Sequence, residues 1–134
     1  MNHERILQRA KAQDAGAAKG APASVTGKWV NEYGSSAEFI VSGNSLSGRY
    51  VSKAGGALEG SISGYISGDI VAFSVLWPAA AGSITSWVGQ IVEDEGTEIL
   101  KTLWYLVTNI PDDKEREGLW TSIYAGADEF RRVE

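Results

Sequence analysis

Residues 83–90 read Ser83-Ile84-Thr85-Ser86-Trp87-Val88-Gly89-Gln90, eight residues without a charge. Read as a β-strand, the stretch puts Ser83, Thr85 and Trp87 on one face, because side chains alternate with period two. A face that buries an indole in a plain core would carry Val or Ile beside it. Two hydroxyls in those places suit the lining of a ligand pocket instead.

The surrounding sequence has the same character. From Val25 onward it divides into segments of strand length at 25–33, 37–41, 46–52, 58–66, 70–77, 84–93, 97–108 and 119–127. Turn signals separate them: Gly34-Ser35, Ser42-Gly43-Asn44, Ser67-Gly68-Asp69 and Asp94-Glu95-Gly96. Pro78, which cannot donate into a ladder, stops the fifth segment, and a polar loop at 109–118 precedes the eighth. No convincing helix follows the N-terminal region. Short turns imply antiparallel neighbours, and eight such strands close into an up-and-down β-barrel. A barrel of that size holds side chains or one small ligand. A two-sheet sandwich shares the local pattern. The fold expected is all-β, an eight-stranded antiparallel up-and-down barrel over residues 25–134.

Composition narrows the partners. The 134 residues suit one domain, 43% hydrophobic and 22% charged, with a net charge of −5. That charge argues against nucleic acid and against anionic membrane surfaces, both of which need clustered Lys and Arg. No apolar run approaches the ~20 residues of a membrane-spanning helix. Absence of cysteine removes disulfides, thiolate metal sites and a cysteine nucleophile. Residues 1–24 differ from the rest. Four basic and two acidic residues give them +2, which leaves −7 on the remainder. Their first half suits a helical turn or two, their second half is rich in Ala and Gly, and there is no apolar core of a signal peptide. They read as a disordered or processed tail outside the fold.

Strand parity assigns the faces. Trp29, Asn31 and Tyr33 share one face of the first strand, and Tyr50 and Ser52 share one of the third. Phe73, Val75 and Trp77 share one of the fifth, and Leu100, Thr102, Trp104 and Leu106 one of the seventh. If the tryptophan face is the inner one, the interior also contains Asn31, Tyr50, Ser52, Ser83 and Thr85. An amide or hydroxyl buried without a partner costs about 1–3 kcal/mol. A set of them on several strands, always with tryptophan parity, points to a pocket for a flat, polar-edged small molecule. Catalysis is not expected. The single histidine, His3, lies in the tail, and the acidic group Asp112, Asp113, Glu115 and Glu117 reads as a solvated loop without calcium-binding spacing. No metal site or cofactor is expected.

Six stretches, in order, resemble the avidin/streptavidin family. Residues 27–35, GKWVNEYGS, are similar to that family's first-strand pattern G-x-W-x-N-x-x-G-S. Residues 47–52 (SGRYVS) are similar to its third strand, 73–77 (FSVLW) to its fifth and 83–90 to its sixth. Residues 100–106 (LKTLWYL) are similar to its seventh strand, and the region from Trp120 through Asp128 and Phe130 to its eighth. The resemblance spans about 25–131 and implies a biotin-binding barrel. It implies that Asn31, Ser35 and Tyr50 donate to the ureido oxygen of biotin and that Ser52 and Asp128 accept from its two N–H groups. Thr85 would face the sulfur, Ser83 and a backbone N–H near Gly55-Gly56 would receive the carboxylate, and Trp77, Trp87, Trp104 and Leu106 would wall the ligand. Trp120 would reach into a neighbouring subunit's pocket in a homotetramer, or else pack within its own chain. Tyr33 and Phe73 depart from streptavidin, which has leucine and tryptophan there, and Tyr33 places a larger ring near the pocket. Relatives are typically secreted, so an extracellular or periplasmic location is implied. Two other classes remain at this stage: a protein-binding or protease-inhibitor barrel with a filled interior, and a lipocalin-like carrier with a more aliphatic lining.

Overall fold

A computed structural model describes residues 2–13, 24–53, 58–78 and 82–133. Eight strands run β1 Gly27–Asn31, β2 Ser36–Ser42, β3 Ser45–Ser52, β4 Leu58–Ser67, β5 Ile70–Leu76, β6 Ser83–Asp94, β7 Thr97–Thr108 and β8 Ile123–Val133. Each pairs antiparallel with its sequence neighbour, and β1 pairs with β8, closing the barrel. The sandwich alternative is excluded.

Burial follows the parity read from sequence. In β6, Ser83, Thr85 and Trp87 are buried while Ile84 and Val88 are exposed. At this end of the strand Ser83 and Thr85 therefore face inward while Ile84 and Val88 face outward, the reverse of an ordinary one-sided strand. The turns at 43–44, 68–69 and 95–96 gather at one end of the barrel, together with the start of β1 and the end of β8. Trp29, Phe39, Leu46, Ile99, Leu100 and Phe130 pack that half with at most 2% exposure. Longer connections sit at the other end, and the polar inward residues lie on the strand ends that face them.

Four local expectations are corrected. The first strand ends at Asn31, so Tyr33 leaves the inner face. Asn31 Oδ1 accepts the backbone N–H of Tyr33 (3.0 Å) and of Ser35 (2.9 Å), which folds 31–35 into a side-chain-capped turn and stops the alternation. The polar loop is partly helical: a 3-10 turn at Asp112–Lys114, then α2, Glu115–Gly118. Leu119–Ser122 is a second 3-10 turn, so the eighth strand begins only at Ile123 and Trp120 precedes it. In the N-terminal region α1, His3–Gln13, is longer than a turn or two. Asn2 Oδ1 caps it by accepting the Arg5 N–H at 3.0 Å. Residues 14–23 lie outside the described residues.

Candidate ligand-binding site

The open half of the barrel contains two adjoining chambers. The barrel chamber, about 440 Å³, is lined by Tyr50, Ser52, Leu58, Trp77, Ser83, Thr85, Trp87, Trp104, Leu106, Thr108 and Asp128. The side chamber, about 540 Å³, is lined by Asn31, Tyr33, Ser35, Ser52, Lys53, Trp104, Gly126, Ala127 and Asp128. Ser52, Trp104 and Asp128 belong to both. All eleven residues assigned to a pocket from sequence therefore line these two adjoining chambers, although they come from five strands (β1, β3, β6, β7 and β8), the position just after β5 and the turn before β2. Leu58, Thr108, Lys53, Gly126 and Ala127 were not anticipated. Their positions depend on how the strands are staggered, which local alternation does not encode.

Hydrogen bonds fix the polar groups. Because Asn31 Oδ1 is committed to the 31–35 turn, its Nδ2 remains as a donor, with no partner among the described residues. Ser35 Oγ accepts the Lys53 N–H at 3.0 Å and is hydrogen-bonded to the Tyr50 hydroxyl. Burial pushes the Tyr50 phenol above the ordinary tyrosine range, and negative charge on Asp128 adds to the rise. The bond to Ser35 opposes it, and Glu32 adds a smaller push upward. Tyr50 is thus held protonated, as a donor.

Two indoles anchor the other polar groups. Trp87 Nε1 donates to Asp128 Oδ2 at 3.2 Å, and Trp77 Nε1 donates to Thr85 Oγ1 at 2.9 Å. Asp128 is 7% exposed; its backbone oxygen accepts from Thr102 Oγ1 at 3.1 Å, and Oδ1 has no partner among the described residues. Tyr50 and Phe73 both stack on Trp87, at 4.6 and 5.0 Å between ring centroids. These contacts lock the rings that would otherwise collapse into the chamber.

This set combines three donors, a carboxylate and aromatic walls. A family model, described as the Avidin family, matches residues 19–133. The chain belongs to the avidin family. Among solved structures it is similar to xenavidin, with 30% identity over 82% of this chain and 97% of that one and a TM-score of 0.73. It is similar to a shwanavidin variant in complex with biotin, at 29% identity, 83% and 99% coverage and a TM-score of 0.66. It is also similar to rhizavidin in complex with biotin, at 25% identity, 84% and 98% coverage and a TM-score of 0.68. Among curated proteins none matches.

In this avidin-family barrel Tyr33 stands at the rim of the side chamber with 74% of its surface exposed, so it does not fill the pocket. Trp120 is 78% exposed and does not pack within its own chain. Gly55 and Gly56 lie outside the described residues. Among the described residues no group of three His, Asp or Glu side chains is arranged to hold a metal ion.

Proposed function

We propose that this chain binds biotin without catalysis, in the connected chambers at the open half of the barrel. The observation that carries this reading is the polarity pattern around Asp128. A cyclic urea offers one carbonyl oxygen, which accepts, and two N–H groups, which donate. Facing it here are an Asn31 amide whose oxygen is already used, the Ser35 hydroxyl and a Tyr50 phenol held protonated. Beside them are Ser52 and an Asp128 carboxylate with one oxygen fixed by Trp87. Three fixed donors on one oxygen favour its polarised form, as in an oxyanion hole. Thr85, which accepts from Trp77, keeps its own proton for the ligand sulfur. Trp77, Trp87, Trp104 and Leu106 wall the ring system and chain, and Ser83 lies where the carboxylate would arrive. The biotin complexes of the similar rhizavidin and shwanavidin proteins support the same reading. A cavity with this polar lining fits neither a filled inhibitor barrel nor an aliphatic carrier.

Self-association is part of the proposal. Outside the barrel, Leu76, Ile84 and Val107 form one cross-strand row and Val88 and Leu103 another, all exposed. Apolar surface of that extent on adjacent strands marks an interface. Together with the outward Trp120 it favours a homotetramer in which that indole covers a neighbour's pocket. Biotin titrated into the purified protein tests the central reading. Saturation at one biotin per chain, with a changed tryptophan emission, is the expected result; absence of both heat and spectral change would refute it.

A further inference from the structure

Trp104 borders both chambers, and its position depends on residue 126. Gly126 lies directly opposite Trp104 in the β7–β8 pairing, and the indole lies over its backbone. A Cβ added at Gly126 would overlap Cζ2 of Trp104 and sit 2.7 Å from Cε2 and 3.0 Å from Nε1. Carbon atoms in ordinary contact are ~3.5–4.0 Å apart. Gly126 is not among the glycines with positive φ, so its backbone conformation does not demand glycine. The indole does.

We infer that Gly126 is a positioning residue for ligand retention: it lets Trp104 lie as the partition between the barrel chamber and the side chamber. The inference rests on the biotin reading above. The side chamber opens at the rim formed by Tyr33 and Lys53, and it reaches Asn31, Ser35 and Asp128. With the indole in place, water entering by that rim is kept from the barrel chamber, and the contacts made to the ligand there stay dry. With a side chain at 126, the indole must swing into one chamber or the other. Either movement leaves the barrel chamber open to water from the side chamber or narrower.

Gly126→Ala and Trp104→Phe, alone and combined, test this. The alanine variant is expected to hold its ligand-free melting temperature within about 5 °C. Its indole emission should shift, and biotin should dissociate about tenfold faster. Phenylalanine lacks the atoms that Cβ would strike, so in the Trp104→Phe background the alanine should add little, giving a non-additive cycle. If the alanine chain does not fold, the double variant should fold again, and its failure to do so would overturn the inference. An unchanged dissociation rate in Gly126→Ala, or strictly additive effects, would overturn it while leaving biotin binding intact. A wild-type chain that binds no biotin would remove the biotin reading and the retention role with it.

Discussion

Asn31 performs two separable tasks with one amide. Its oxygen builds the turn that ends β1, and its nitrogen is left for the pocket. Asn31→Asp keeps the accepting oxygen and replaces the donor with a second acceptor. It is expected to fold with a near-wild-type melting temperature yet bind biotin at least ~100-fold more weakly, because a lost donor and a repulsive oxygen act together. Calorimetric titration beside a thermal melt separates the two effects. Asn31→Ala should damage both. Tyr50 gives a pH prediction. Its folded pKa lies above its unfolded value, so its contribution to stability is complete below the ordinary tyrosine pKa of ~10 and declines as pH rises beyond it. The unfolded chain ionises first in that range. Denaturant midpoints measured on both sides of pH ~10 should therefore fall less steeply in Tyr50→Phe than in the wild type.

At the scale of elements, the two seams of β1, with β2 and with β8, have the fewest residues to hold them. β1 is five residues long and meets β8 at four positions. Arg132 reinforces that seam from the last strand. Its guanidinium lies 4.5 Å over the Trp29 ring, donates to the carbonyls of Thr26 (2.9 Å) and Ser24 (2.6 Å), and reaches Glu98 at 3.3 Å. Trp29 in turn donates from Nε1 to the Val25 carbonyl at 2.9 Å. Arg132→Ala is expected to lower unfolding free energy by about 2 kcal/mol, the sum of a stacked cation and two or three modest hydrogen bonds. Arg132→Lys should recover only part, since an ammonium cannot fork to two carbonyls while lying over a ring. Chemical denaturation measures both, and biotin affinity should change little because the seam contact is at the end of the barrel remote from the pocket.

For the whole molecule, the proposal predicts four chains per particle by light scattering, and a melting temperature that rises steeply with biotin as binding draws the equilibrium toward the folded state. Trp120→Lys places a charge on an indole that is almost wholly exposed in the single chain. It should leave the folding of the chain intact while weakening assembly and speeding biotin release. A particle of one chain, or release unaffected by the substitution, would contradict the role given to Trp120.

Much of this was legible without coordinates. Alternation with period two placed Ser83, Thr85 and Trp87 on the buried face of β6, and short turns required antiparallel neighbours, because both are local properties of the chain. Parity put Asn31, Tyr50, Ser52, Ser83 and Thr85 with the tryptophans on the inner face, whereas Ser35, Asp128 and the donor and acceptor roles came from the resemblance to the avidin family. What the tertiary structure alone decided depends on groups far apart in sequence. The bond from Trp87 to Asp128 spans two strand registers, the stacking of Trp104 over Gly126 requires β7 and β8 to be staggered as they are, and the clasp of Arg132 on Thr26 joins the two ends of the domain. Tyr33 marks the boundary. Its parity pointed inward, but a nearby amide captured its backbone N–H and turned it outward, a competition between side-chain capping and strand geometry that alternation cannot express.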